Sequence, residues 1–252
     1  MQPPRAFGAT AIGSSLALLT LVALASALAP DAVRAALATD RPGGAGLVEN
    51  ATVLFLVPAV AVGATTLWAT RGRLRVPAAG WWLGLWVLAC VTFAGEEVSW
   101  GQWFAGWGTP EFLARVNQQQ ETNLHNITPW LNHKPHALVE VFIASCGVLL
   151  PVWKATHGGA ALFRRGWLAR AEEWVIAPPA LIGAALLHVC TKVGVWLPGA
   201  TRTTIGHPEM QEMAIAWFFA WYVAALSVRL RMVASVAAAE ALVASPSAVR
   251  GT

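Results

Sequence analysis

Charge is scarce in this chain. Of its 252 residues only 12% are Asp, Glu, Lys or Arg, about half the ~25% of an average soluble domain, which excludes a water-exposed surface wrapped around an ordinary core. Cysteine is scarce as well. Cys90, Cys146 and Cys190 are odd in number, lack CxxC spacing and each fall inside an apolar stretch. Neither a disulfide framework nor a cysteine-based zinc site is expected, and the three read as small core residues. A concentrated basic stripe is missing too: the formal charge is +4, but the Lys and Arg residues are scattered over short loops, so nucleic acid is not an expected partner. Short alternating segments of the kind that build a membrane barrel are also absent.

What is present is apolar sequence in long runs, at about 7–29, 51–70, 79–104, 136–153, 174–197 and 210–230. Each is near the ~20 residues that a helix needs to cross a hydrocarbon core of ~30 Å. Backbone polar groups have no water to bond in that core, so the runs must be helices. The expected fold class is therefore all-α: an integral membrane bundle of about six transmembrane helices, forming a single transmembrane domain over 1–252. Pro58, Pro151 and the pair Pro178-Pro179 should kink or offset their helices without cancelling them.

Orientation follows from the basic residues of the short loops. Arg5, Arg71, Arg73, Arg75, Lys154, Arg164, Arg165, Arg170, Arg229, Arg231 and Arg250 fall on one side, and Arg34, Arg41, Arg115, Lys134, Lys192 and Arg202 on the other. The richer side is expected in the cytoplasm with both termini, and the Ala-rich composition suggests a bacterial inner membrane. Tryptophans should mark both interfaces, Trp68, Trp81, Trp82, Trp153, Trp167 and Trp174 on the inside and Trp100, Trp103, Trp107, Trp130 and Trp196 on the outside. Arg5, the run after it and Ala27-Leu28-Ala29 before Pro30 also resemble a signal peptide, but the run exceeds the usual ~7–15 residues, and a retained first helix is the reading adopted.

The acidic residues and histidines gather on the outer side. Glu96 and Glu97 close the third run, while Glu121, His125, His136 and Glu140 follow in and after the 105–133 loop. His188 and Lys192 lie in the outer half of the fifth run, and His207, Glu209 and Glu212 open the sixth. An unpaired ionisable group at membrane depth costs roughly 2.5–3.5 kcal/mol or more, so such groups are held by partners or a metal. Thr109-Pro110-Glu111 reads as a helix start, and the residues after it predict an interfacial helix with Glu121 and His125 one turn apart on one face. Blander readings exist for some of these residues. Glu209 and Glu212 suit the first turn of a helix by its dipole, and so does Glu111. Asp31, Asp40 and Glu49 read as solvated loop charges, and His133 as a surface residue.

The run Gly95-Glu96-Glu97-Val98-Ser99-Trp100-Gly101-Gln102, followed by Thr109-Pro110-Glu111 and Glu121-Thr122-Asn123-Leu124-His125-Asn126, resembles a family of uncharacterised bacterial polytopic membrane proteins that share a GEExSWGQ…TPE…ETNLHN signature. The resemblance covers about residues 95–126. It brings no reaction with it, but implies that Glu96, Glu97, Ser99, Trp100, Gln102, Glu121, Asn123, His125 and Asn126 act as one unit. A weaker likeness is to the membrane hydrolases that include alkaline ceramidases, which hold a zinc among His and Asp residues. This chain has six helices rather than seven, an ExxxH spacing and no matching Asp, so the likeness is a precedent for lipid hydrolysis and not an assignment.

These readings converge on an expectation of a metal-dependent hydrolase of a lipid or lipid-linked substrate at the extracytoplasmic face. A divalent metal, zinc with iron or manganese as alternatives, would be held by Glu121, His125, His136 and His207, with Glu96 or Glu97 as general base. Ser99, Trp100, Gln102, Asn123, Asn126, Glu140, His188, Lys192, Glu209 and Glu212 would support ligands or substrate. The rival class is a proton- or cation-coupled transporter or a non-catalytic assembly protein using the same groups.

Overall fold

A computed structural model describes residues 3–28, 46–72, 77–117, 120–124, 127–163, 165–194, 196 and 207–243. The described residues are helical, without strands. We number the long helices α1 (Arg5–Leu28), α2 (Leu47–Thr70), α3 (Pro77–Glu97), α4 (Pro129–Phe142, continued by Ile143–Leu149 and Leu150–Thr156), α5 (Gly166–Val175), α6 (Ile182–Gly194) and α7 (Pro208–Val243). Six stretches are long and apolar enough to cross a membrane: Arg5–Ala25, Leu47–Thr70, Ala78–Glu97, Lys134–Thr156, Gly166–Gly194 and Pro208–Ala241. The expected all-α bundle is the observed one.

The last helix is the hub. Most of α7 is buried, whereas the other spans show much of their surface outward, as lipid-facing helices do. It lies against α2 along most of its length and also against α3 and α6, while α1 packs on α6. Close approach is set by small residues, as expected where lipid supplies no hydrophobic drive between helices. A Cβ on Gly63 would run into Val87 of α3 and approach Val223 of α7 to 3.1 Å, and one on Gly147 of α4 would stand 3.0 Å from both Ala185 and the Phe218 ring. Aromatic rings fill the centre: Trp86 packs edge to face with Phe219 and Tyr222, and Phe142 lies tilted against Trp86 and edge to face with Tyr222.

The prolines shape two spans. Pro151 has no N–H, and the turn before it, Ile143–Leu149, is π-helical, with Leu150 N–H reaching back to Ser145 O. In that register the carbonyl left without a donor is that of Cys146. Ala177 N–H fills the place at 3.0 Å, so the defect in α4 is matched by a break in the neighbouring span. That break divides the fifth span, Gly166–Gly194, into α5 and α6 at Ile176–Pro178, a stronger effect than the kink expected of Pro178-Pro179, because Pro178 sits in extended backbone (ψ 148). The carbonyls freed at the end of α5 are taken by α7. Tyr222 OH lies 2.9 Å from Trp174 O and 2.8 Å from Val175 O, and Arg229 donates to Glu173 O at 2.6 Å. Lys154 pairs with the buried Glu172, which also accepts from the N–H groups of Leu162 and Phe163.

Trp68, Trp81 and Trp167 are exposed near one end of the bundle, and Trp100, Trp107, Trp130 and Trp196 near the other. Trp82 leaves its expected belt, since its indole N–H donates to Tyr222 OH at 3.1 Å in the core. Of the cysteines, Cys90 is buried, Cys146 half-buried and Cys190 exposed, so the last is not the core residue expected of it.

Candidate functional site

The third helix stops because its chain reverses. Ser99, Trp100 and Gly101 take positive φ in succession (46°, 55° and 90°), which no α-helix accommodates and which costs non-glycine residues of order 1 kcal/mol each. The expected continuation of this helix to 104 is therefore replaced by a turn and a one-turn helix at Gln102–Ala105. Gly95 is required here: the Trp100 ring folds back so closely that a Cβ at Gly95 would meet it at 2.8 Å.

Past the reversal, the residues of the sequence signature hold one another. Trp100 Nε1 donates to Glu96 Oε1 at 2.8 Å, and Leu124 N–H to Glu96 Oε2 at 2.6 Å. Ser99 Oγ donates to Glu121 Oε2 at 2.8 Å, and Asn123 Nδ2 reaches the same oxygen at 2.7 Å. Asn117 donates to Asn123 Oδ1 at 2.7 Å, and Gln102 bridges Thr109 Oγ1 (2.9 Å) and Thr122 N–H (2.7 Å). Asn123 is only 2% exposed, so these bonds satisfy groups that would otherwise be buried without partners. Of the residues implied to act together, Glu96, Ser99, Trp100, Gln102, Glu121 and Asn123 take part in a hydrogen-bonded clasp that ties 99–102 to 120–124. His125 and Asn126 lie outside the described residues.

One expectation changes. Between residues 106 and 128, helical backbone among the described residues is confined to Glu111–Ala114, where Arg115 pairs with Glu111, so Glu121 is not on an interfacial helix. The loop folds on side-chain bonds from Gln102, Asn117 and Asn123, and these compete with a helix. Glu121, expected as a metal ligand, accepts from Ser99 and Asn123 at one oxygen, and Glu96, expected as a base, accepts from Trp100 and from Leu124 N–H.

The converging carboxylates are others. His207 supplies the carbonyl that accepts from Met210 and Gln211 N–H at the start of α7. Pro208 then opens the helix, where its missing N–H costs nothing, and Glu209 and Glu212 follow at i, i+3 on one face. Glu97 is the last residue of α3, at the negative end of its dipole, where a carboxylate is disfavoured. One oxygen from each of Glu97, Glu209 and Glu212 lies within 4.8 Å of the others, all three being half-buried. Glu97 and Glu212 are in hydrogen-bonding contact, and Glu49 of α2 adds to the negative charge around Glu97. His136 Nε2 of α4 stands 3.2 Å from Glu212 Oε1. Carboxylates this close repel, and a shared proton or a cation is what relieves them.

Beside them, Lys192 Nζ pairs with Glu140 Oε1 at 2.6 Å. His188, 2% exposed, has both ring nitrogens enclosed near Glu140, Lys192 and the Gln211 backbone. The Nδ1 of His207 is buried without a hydrogen bond, and this ring is not part of the carboxylate group. Among the described residues, then, the structure brings Glu97 and His136 to Glu209 and Glu212, a pair read both as helix-start acids and as support for ligands or substrate. Glu96 lines the same cavity with its oxygens bonded to Trp100 and Leu124, and Glu121 is bonded into the clasp. Glu49, read as a solvated loop charge, lies in the first turn of α2 and accepts from Gly46 N–H.

The cluster stands at one end of a cavity of about 460 Å³ between α3, α4 and α7. Its walls are apolar, including Leu85, Leu88 and Phe93 of α3, Val139 of α4, and Ile215 and Phe219 of α7, while Glu96, Glu97, His136 and Glu212 line it with Leu124 beside them.

Five apolar spans gathered around a sixth, with ionisable groups of α2, α3, α4 and α7 meeting at one end, make this a multi-span integral membrane protein. Comparison with known proteins finds no match: no family model, curated protein or solved structure matches the chain.

Proposed function

We propose that the protein is a membrane-embedded, metal-dependent enzyme that hydrolyses a lipid or lipid-linked substrate. The observation that carries this reading is the convergence of Glu97, Glu209 and Glu212 within 4.8 Å, beside His136, at the polar end of an apolar cavity. The ion would sit among the three carboxylates. A ligand set this rich in oxygen suits manganese or iron better than zinc, which favours imidazole and thiolate. A bound ion lowers the pKa of its water towards ~7 and polarises the bond to be cut. His136, within reach of Glu212, is placed to take the proton from that water, and the Glu140–Lys192 pair fixes the charge behind it. Glu96 then keeps the cavity mouth in shape through Trp100 and Leu124.

The positive-inside asymmetry supports placing this end on the extracytoplasmic side of a bacterial inner membrane. The rival reading, ion or proton transport, needs polar groups through the full depth of the bundle. At the opposite end, Arg229 is spent on backbone carbonyls and Lys154 on Glu172, which favours the enzyme.

Metal content by mass spectrometry on detergent-purified protein tests the proposal. One equivalent of manganese, iron or zinc in the wild type, lost in Glu97→Ala and Glu212→Ala but retained in Glu121→Ala, supports it. A wild type without metal after chelator-free purification overturns it and leaves transport or partner binding.

A further inference from the structure

We infer that the cavity between α3, α4 and α7 holds one aliphatic chain of a lipid that enters sideways from the bilayer, and that the head group it presents to the carboxylates is uncharged or cationic rather than a phosphate. The inference deepens the proposed reading by naming the substrate class, and rests on that reading for its catalytic meaning.

Length argues for a lipid chain. The wall contributed by α3 runs from Leu85 to Glu97, twelve residues, which at ~1.5 Å per residue is roughly 18 Å. Half of a ~30 Å hydrocarbon core is roughly 15 Å, so the cavity is about as deep as one leaflet. The distribution of polarity matches as well: the carboxylates and His136 are at the Glu97 end, and the wall towards Leu85 is apolar. A lipid in that leaflet has the same order, head at the interface and chain beneath.

Access is lateral. Leu85 and Leu88 line the cavity, yet Leu88 is 61% exposed on the outward surface of α3, the surface that faces lipid in a membrane. At the head end Leu124 closes over the cavity, its N–H held by Glu96. A chain therefore reaches the cavity from the bilayer without crossing water.

Charge selects the head. Glu49, Glu96, Glu97, Glu209 and Glu212 gather around this end against His136, and the nearby Lys192 is matched by Glu140. One divalent ion among five carboxylates still leaves the end acidic. An anionic head is repelled there at low dielectric, and an ester, amide or amine is accepted.

Photocrosslinking tests this on the full chain. p-Benzoylphenylalanine replaces Leu88, or Leu85 as a second position, and for comparison Val62, which is 40% exposed on α2 beside Gly63, the residue level with Val87 of α3. The protein is placed in phosphatidylcholine nanodiscs with chelator, doped equally with hexadecyltrimethylammonium and hexadecyl sulfate, and irradiated. The expected adducts at Leu88 and Leu85 favour the ammonium by about tenfold over the ratio at Val62, and Val139→Trp, which fills the cavity, removes the preference. Equal ratios at all three positions would mean ordinary boundary lipid, and crosslinks to another protein would mean a protein-binding groove; either overturns the inference. Because the readout is taken without metal, absence of metal from the wild type would defeat the catalytic reading and leave this result standing.

Discussion

His136 and Glu212 are 76 positions apart in the chain and on different helices, yet His136 Nε2 lies 3.2 Å from Glu212 Oε1. Both side chains are partly exposed, so the pair should add only about 1 kcal/mol to stability. If its role is catalytic, activity is far more sensitive than folding. His136→Gln should lower the melting temperature by only a few degrees while reducing turnover of a cognate lipid by about 10²-fold or more. An equal loss in both would assign the pair to structure alone.

Metal retention should depend on acidity with a definite sign. Protons and a divalent ion compete for the oxygens of Glu97, Glu209 and Glu212, so metal content should fall as pH is lowered from neutral into the acidic range and return on neutralisation. Equilibrium dialysis with manganese across that range measures it. Flat binding would place the ion elsewhere.

The clasp should matter for stability and not for metal. Asn123 bonds Asn117, Ser99 and Glu121 in a buried setting, so Asn123→Ala strands several polar groups and should cost about 1–3 kcal/mol. Gly95→Ala should do likewise by forcing the Trp100 ring off its seat. Thermal melting and limited proteolysis between residues 102 and 124 report both, with metal content unchanged in the folded fraction.

Helix packing can be probed at Gly63. Any side chain there meets Val87 and Val223, and overpacking of a tight interface costs about 1–3 kcal/mol. Gly63→Val should therefore lower the melting temperature in detergent clearly more than Ala61→Val, at an exposed position of the same helix.

A buried charge at the opposite end offers an independent check. Glu172 is held by Lys154 and by the N–H groups of Leu162 and Phe163. Glu172→Gln should be tolerated better than Glu172→Ala, because the amide oxygen still accepts from the loop; Ala is expected to cost about 2 kcal/mol after allowance for the partly exposed lysine. Thermal melting of the two variants decides the order.

The spans were legible because lipid imposes one simple demand: twenty or so apolar residues with their backbone bonds satisfied internally. Helix starts followed local chemistry, as Pro208 and Glu209 show. Ends were less legible. The stop at Glu97 depends on Trp100 folding onto Gly95, and the division of the fifth span depends on Tyr222 and Arg229 accepting the role of partners for its freed carbonyls. Tyr222 and Arg229 are far in sequence from the break they support.

For the site, the sequence by itself determined the inventory and the end of the bundle: acids and histidines at the termini of apolar runs, which hydropathy alone brings to one interface. Which of them meet was decided by tertiary structure. Glu96 and Glu97 are neighbours in the chain, but a helix turns about 100° per residue, and that rotation sends one to Trp100 and Leu124 and the other to Glu209 and Glu212. Spacing within a segment could suggest Glu121 with His125. Only the packing of α3 and α4 against α7 could bring Glu97 and His136 to Glu212, because the relative rotation of packed helices is set by contacts between residues far apart in the chain.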